Sequence, residues 1–174
     1  PETASLFFGE RTSTSQLIEL ARDTRMEAAV NAKDFAALPE AATALDKAAR
    51  DLRLTRLEDN ARLPVSALKD AGAFDRALHD VSEKLNNINK LLESQAERSD
   101  GLDKCWQRAS ALVQQIARWR EGADPNAVRW IEVFSHALQL NATPAKNLVE
   151  NGFLARTRAA TLSDPSRVRC RSPS

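Results

Sequence analysis

Seven cationic or aromatic side chains recur between residues 106 and 130 of this 174-residue chain. Arginine pairs with phosphate groups and the indole ring of tryptophan stacks on unpaired bases, so this combination is typical of proteins that hold single-stranded nucleic acid without reading its sequence. The pattern predicts DNA contacts from Arg108, Arg118, Trp119, Arg120 and Arg129.

The aromatic residues of this region also permit a purely structural interpretation. Trp106 falls on the apolar stripe of a helical pattern, which favours a place in the core. Trp119 lies between two arginines, and for this residue the two interpretations remain open. Trp130 and Phe134 instead suit an interface with a neighbouring domain, because a large exposed apolar patch commonly marks such an interface.

Nothing in the sequence indicates catalysis or a bound metal. It has neither a glycine-rich phosphate-binding loop ending in Lys-Ser/Thr nor an Asp-Glu-Ala-His tetrad. His79 and His136 have no partners at the spacing of a metal site or of an activated nucleophile. Cys105 and Cys170 are isolated, which is typical of reduced thiols in a cytosolic protein. We therefore predict no catalytic residue, no metal ligand and no cofactor within this chain.

The composition indicates a helical domain with a core of its own. Hydrophobic residues make up 43% of the chain, Gly numbers only 5 and Tyr is absent, a mixture that favours helices over an all-β fold. The net charge of +1 is too small to indicate nucleic-acid binding by itself. No apolar run is long enough to cross a membrane and no signal peptide is visible, so we expect a cytoplasmic protein.

Two helices are predicted before residue 60. Ser13 followed by Gln16 fits a capping box, in which each side chain satisfies a free amide of the first helical turn. Pro39 suits the first turn of a second helix, where its missing amide hydrogen costs nothing. This second helix is predicted to end near Leu57.

A long antiparallel helical hairpin is the clearest prediction. Its first helix covers residues 73–96, and its second runs from Leu102 to near Trp119, with Gly122 as the stop signal. Ser99-Asp100-Gly101 forms the turn between them. Alternating steps of four and three indicate that the first helix packs along a partner through Phe74, Leu78, Val81, Leu85, Ile88 and Leu92.

After Pro125 the apolar period changes from helical to alternating, which predicts a β-hairpin over residues 127–141 with apolar side chains on both faces. The predicted fold class is mainly α: a helical bundle built on the long hairpin, with one small β-hairpin. We divide the chain into a helical domain (1–126), the β-hairpin with a return segment (127–148) and a polar tail (149–174) that we expect to be poorly ordered.

In order and spacing, several parts of the chain resemble the region after the DEAH box of DinG/YoaA-type helicases, which are relatives of XPD. Pro1-Glu2-Thr3-Ala4 is similar to the residues that directly follow the box. Residues 66–120 resemble the paired helices of the Arch, a helical insertion over the motor domain. Val128–Val133 and Thr143-Pro144 resemble the return of the chain to the motor. The likeness covers about residues 1–148.

The resemblance implies a non-catalytic accessory domain of a superfamily 2 ATP-dependent DNA helicase, involved in DNA repair or replication and expected to move 5′ to 3′ on single strands. Its partners would be single-stranded DNA, the rest of the helicase motor and a replication or repair protein. ATP and magnesium would be held by the parent protein outside this chain, as would any iron–sulfur cluster of the family. The Arch-like helices would enclose and guide the strand, with basic residues on its backbone.

Two other functions remain open from the sequence alone. A helical protein-interaction module would dock a replication or repair partner in a continuous apolar groove. A free-standing helical scaffold unrelated to helicases would unfold cooperatively and bury Trp130 fully. The DNA-binding interpretation instead predicts that a basic track is the unusual feature of the surface.

Overall fold

The computed structural model describes residues 10–56, 60–68, 71–122 and 127–144. Its elements in chain order are β1 (Glu10–Ser13), α1 (Thr14–Asn31), α2 (Ala37–Leu54), β2 (Ala61–Pro64), α3 (Ala71–Gln95), α4 (Asp100–Glu121), β3 (Ala127–Val133) and β4 (Leu138–Pro144). The predicted fold class, mainly α with a small antiparallel β-hairpin, is confirmed. The predictions for residues 1–9 and for the polar tail fall outside the described residues.

Capping groups fix the starts of α1 and α4. The Ser13 hydroxyl accepts a hydrogen bond from the Ser15 amide, and Gln16 Oε1 accepts one from the Ser13 amide, both at 2.9 Å. The predicted capping box is therefore present. α4 begins after Ser99, whose hydroxyl accepts a hydrogen bond from the Leu102 amide at 3.0 Å.

The other predicted helix boundaries lie within three residues of the observed ones. α2 covers Ala37–Leu54, so Pro39 stands in its first turn as expected. α3 covers Ala71–Gln95 and starts two residues earlier than predicted. α4 stops at Gly122, whose φ of 59° is a left-handed conformation that a residue without Cβ adopts freely.

The helices of the described residues pack as an up-and-down bundle, in which α1 contacts α2, α2 contacts α3, and α4 closes the bundle against α3 and α1. Cross-helix contacts show that α3 and α4 run antiparallel. Phe74 near the start of α3 meets Trp119 near the end of α4, whereas Asn89 accepts a hydrogen bond from Ser110. The predicted seam of α3 is buried, with at most 2% exposure, at Phe74, Leu78, Val81, Leu85, Ile88 and Leu92.

A four-stranded antiparallel sheet in the order β1-β4-β3-β2 closes one end of the bundle. We call this end of the bundle the base; here Trp119 Nε1 on α4 donates a hydrogen bond to the Asn141 carbonyl on β4. We call the opposite end, at the 3-10 turn Ala96–Arg98, the tip. The predicted hairpin forms the centre of the sheet. The short strands β1 and β2 were not predicted. Four side chains join the hairpin to the helical core, none more than 3% exposed: Ile131, Val133, Leu138 and Leu140.

The first and last strands of the described chain are neighbours in the sheet. β1 and β4 pair antiparallel from Glu10↔Ala142 to Ser13↔Gln139. The Cα atoms of residues paired in an antiparallel ladder lie about 4.5–5.5 Å apart. The chain therefore enters and leaves the described domain at almost the same point, and we call this pair of strands the β1–β4 junction.

Candidate nucleic-acid interface

Two arginines of the candidate set lie in the last turn of α4, at the base. Arg118 and Arg120 are both exposed, whereas Trp119 between them is buried. Positions two apart on an α-helix differ by about 200° around its axis, so the two arginines lie on opposite flanks of α4. Positive charge also suits this end of the helix, because the helix dipole is negative there.

Arg120 reaches across the surface to α3. Its Nη2 atom lies 3.4 Å from Nδ1 of His79, and Nε2 of His79 lies 3.2 Å from Oε2 of Glu83, one turn further along α3. All three side chains are exposed, so these groups form a polar chain on the surface between the two helices. Sequence reasoning missed this contact because 41 positions separate Arg120 from His79.

Arg129 completes the end of α4. Its Nη1 atom donates to the carbonyl of Trp119 at 2.9 Å and to that of Arg120 at 3.4 Å. The guanidinium also lies 5.5 Å from the centroid of the Trp119 ring. The last carbonyls of a helix lack donors within the helix, so this contact stabilises the helix end. The Arg129 guanidinium, for which the sequence predicted a phosphate contact, therefore already donates hydrogen bonds to two carbonyl groups.

Trp119 is buried, with 5% exposure, and neither face of its ring is open to a base. Besides the 2.7 Å hydrogen bond from its Nε1 atom to the Asn141 carbonyl, the ring packs edge-to-face on Phe74 with 6.2 Å between centroids. Stacking on a base needs an exposed ring face. Of the two interpretations left open by the sequence, burial favours a place in the core and argues against a stacking role.

Arg108 lies away from the other arginines. Ten residues of helix place it about 15 Å from Arg118 along the axis of α4. Its Nη1 atom donates to Asp23 of α1 at 2.8 Å, and the two side chains are 42% and 37% exposed. Such an exposed ion pair contributes little to stability, but the carboxylate offsets the charge of the guanidinium. The structure thus places Arg118, Arg120 and Arg129 at the base, with Arg118 and Arg120 on opposite flanks of α4, and leaves Arg108 apart.

The remaining aromatic candidates divide between core and surface. Trp106 is partly buried and packs against the bundle core. Trp130 lies on the sheet face opposite the helices with 9% exposure, and the Arg62 guanidinium is 4.9 Å from its ring centroid. Phe134, which directly follows β3, is 39% exposed. Of the two residues expected at a domain interface, Phe134 is exposed and Trp130 is largely covered.

The described residues contain no group of three or more His, Cys, Asp or Glu side chains that could hold a metal ion. Cys105 is buried in α4, and burial raises the pKa of its thiol, although a hydrogen bond with Thr24 partly opposes this. A buried thiol with a raised pKa is a poor nucleophile. Within the same described residues, no helix combines the length and apolar character needed to cross a membrane.

Two curated relatives of this chain are DNA helicases. It is 28% identical over 144 residues to the ATP-dependent DNA helicase YoaA of Escherichia coli (strain K12), and 26% identical over 145 residues to that of Haemophilus influenzae. Each similarity covers 83% of this chain but only 23% of the relative, so the chain spans about a quarter of the length of the curated relatives it matches. No protein-family model matches the sequence, and no solved structure matches the fold. The chain is therefore related in sequence to a part of the DinG/YoaA-type ATP-dependent DNA helicases.

Proposed function

We propose that this chain is a non-catalytic, Arch-like accessory domain of an ATP-dependent DNA helicase that acts in DNA repair or replication, and that it helps to enclose and guide single-stranded DNA. The observation that carries the proposal is the β1–β4 junction. A bundle whose chain enters and leaves on neighbouring strands can be inserted into a motor domain without separating the two halves of that motor. Sequence similarity to about a quarter of a helicase supports the same arrangement.

The position of the exposed arginines supports a DNA contact at the base. Trp119 bonds to β4, so Arg118 and Arg120 on either side of it lie at the same end of the bundle as the β1–β4 junction. A strand that passes between the bundle and an attached motor would meet these side chains. Arginine contacts with phosphates position a strand without reading its bases. In this proposal Arg118 and Arg120 contact the backbone, while Arg129 and Trp119 hold the end of α4 in place.

Exchange of both exposed arginines for alanine tests this assignment. Each phosphate contact with single-stranded DNA contributes about 0.7 to the slope of log affinity against log salt concentration, so two contacts contribute about 1.4. For the full 174-residue chain, R118A/R120A should then bind fluorescent oligothymidylate about 25-fold more weakly at about 0.1 M salt, as measured by anisotropy. The salt slope should fall by about 1.4 in the same titrations.

A matched control removes two exposed lysines that lie nearer the tip. K90A/K104A deletes the same charge from α3 and α4, and its affinity should stay within about twofold of wild type. Equal losses of affinity in both double variants would show that the overall charge of the chain attracts DNA and that these arginines form no specific site. Unchanged affinity in R118A/R120A would remove these arginines from the proposal. If the wild-type chain does not bind the oligonucleotide at all, the bundle does not itself hold DNA.

The surface at the tip favours a second function, the docking of a replication or repair protein. A groove there has a partly buried indole in its wall, and the Arg98 guanidinium on its edge already pairs with Asp34 at 2.7 Å. Carboxylates at this end repel a phosphate backbone and attract a basic protein segment. The groove-lining acids and aromatic residue are Glu93, Glu97, Asp100, Asp103 and Trp106. Because this groove is at the opposite end from the arginines, one domain can carry both functions.

A further inference from the structure

The polar chain from Arg120 to Glu83 suits one tautomer of the histidine between them. A guanidinium has donors only, so the Nδ1 atom of His79 must accept the hydrogen bond from Arg120 Nη2, 3.4 Å away. The ring hydrogen of neutral His79 is then on Nε2, which donates to Glu83 Oε2 at 3.2 Å. The arrangement therefore fits neutral His79, and it holds Arg120 against α3.

Charges on three helices surround His79 and balance. They are Asp75, Arg76, Asp80, Glu83 and Lys84 on α3, Arg120 on α4, and the ion pair of Lys47 with Asp51 on α2. Four acids and four bases leave no excess charge on this surface. A proton on His79 would make the surface positive, so its attraction for a phosphate depends on a single titratable ring.

We infer that the single-strand contact surface extends from α4 onto α3, and that His79 is a phosphate-binding residue whose contribution depends on pH. This inference rests on the proposed function. When His79 takes up a proton both ring nitrogens become donors, so Nδ1 no longer accepts from Arg120. The two cations then repel each other unless an anion lies between them, and a DNA phosphate accepts a hydrogen bond from each.

The direction of the pH dependence follows from this exchange of partners. Histidine is the side chain that ordinarily changes charge between about pH 5 and pH 8. Because DNA binds the protonated form better, binding takes up a proton and strengthens as the pH falls. One added phosphate contact changes the log–log salt slope by about 0.7, which corresponds to about fivefold in affinity at about 0.1 M salt.

Anisotropy titrations of the 174-residue chain with oligothymidylate at about pH 6 and about pH 8 test the inference. The wild-type chain should bind about fivefold more tightly at the lower pH. His79→Gln should bind equally at both, with the affinity that wild type shows at the higher pH. Glu83→Gln removes the carboxylate that competes with phosphate for His79, and it should tighten binding at both pH values, a gain that partial unfolding cannot produce.

The second histidine of the chain supplies the matched control. His136 is exposed and follows β3 near the base, so His136→Gln removes a comparable ring and should keep the full pH dependence. The inference is overturned if His79→Gln titrates like wild type, if His136→Gln loses the pH dependence, or if Glu83→Gln weakens binding. In each case a loss of affinity in R118A/R120A would still support the proposed function. Absence of binding at both pH values would overturn the inference and the proposed function.

Discussion

Replacing Trp119 with phenylalanine tests whether one indole holds the helical bundle to the sheet. The substitution keeps an aromatic ring against Phe74 but removes the Nε1 donor that bonds to the Asn141 carbonyl at 2.7 Å. Trp119 is only 5% exposed, so water does not readily replace the lost donor. The change therefore removes one hydrogen bond between α4 and β4 while leaving most of the apolar contact.

The expected cost of this substitution is the sum of two terms. The lost hydrogen bond costs about 0.5–1.5 kcal/mol, because Asn141 pairs with Trp130 in the β3–β4 ladder and its carbonyl keeps that backbone donor. The smaller phenyl ring leaves a void of roughly 40 Å³, which costs about 1 kcal/mol at the usual energy per cavity volume. Trp119→Phe should thus lower the free energy of unfolding by about 1.5–2.5 kcal/mol, an appreciable share of the total stability of an ordinary domain.

Urea unfolding followed by circular dichroism measures this loss, and Trp106→Phe is the control. Trp106 is only partly buried, so its replacement should cost less than about 1 kcal/mol. The reasoning is refuted if Trp119→Phe lies within about 0.5 kcal/mol of wild type, or if the two variants lose equal stability. Either result would mean that the bundle and the sheet are held together without this hydrogen bond.

Three further substitutions test other contacts. Ser99→Ala removes the acceptor for the Leu102 amide and should destabilise the chain by about 1 kcal/mol in urea, whereas Ser99→Asp should keep most of the stability. Arg129→Ala deprives the Trp119 carbonyl of its donor; hydrogen exchange should show faster exchange in the last turn of α4 and unchanged exchange in its first turn. Because burial raises the pKa of Cys105 in the folded state, unfolding free energy should fall as the pH rises above the pKa of the unfolded thiol, and Cys105→Ala should lack this fall in alkaline urea titrations.

Local signals predicted the helices but not the whole sheet. Helix ends depend on residues a few positions apart, such as Ser13 with Gln16, so they can be read from a short window of sequence. β1 and β2 have four residues each, too few to show an alternating pattern. Their pairing partners also lie far along the chain, as in Glu10↔Ala142 and Arg62↔Glu132. The sequence therefore indicated only the hairpin whose strands are adjacent.

The surroundings of the candidate residues could be predicted only in part, for a related reason. Residue type drew attention to the end of α4, where Arg118 and Arg120 are exposed, and their contact with DNA stays a prediction. The partners of the other candidates are tertiary contacts: Arg108 meets Asp23 on another helix, and Arg129 meets carbonyl groups that only the folded turn brings close. A signal for Trp119 was available, because it continues the spacing of the buried stripe of α4.

The β1–β4 junction also determines how the domain responds to mechanical load. Two antiparallel strands that are pulled from the same end separate by unzipping, so their hydrogen bonds break one after another instead of together. Tension between the two ends of the domain would act first on the pair Glu10 and Ala142, and the ladder ends after only four residue pairs. If the domain is inserted in a motor as proposed, tension from that motor would therefore open this short ladder first, and the bundle would tilt while its helices stay folded.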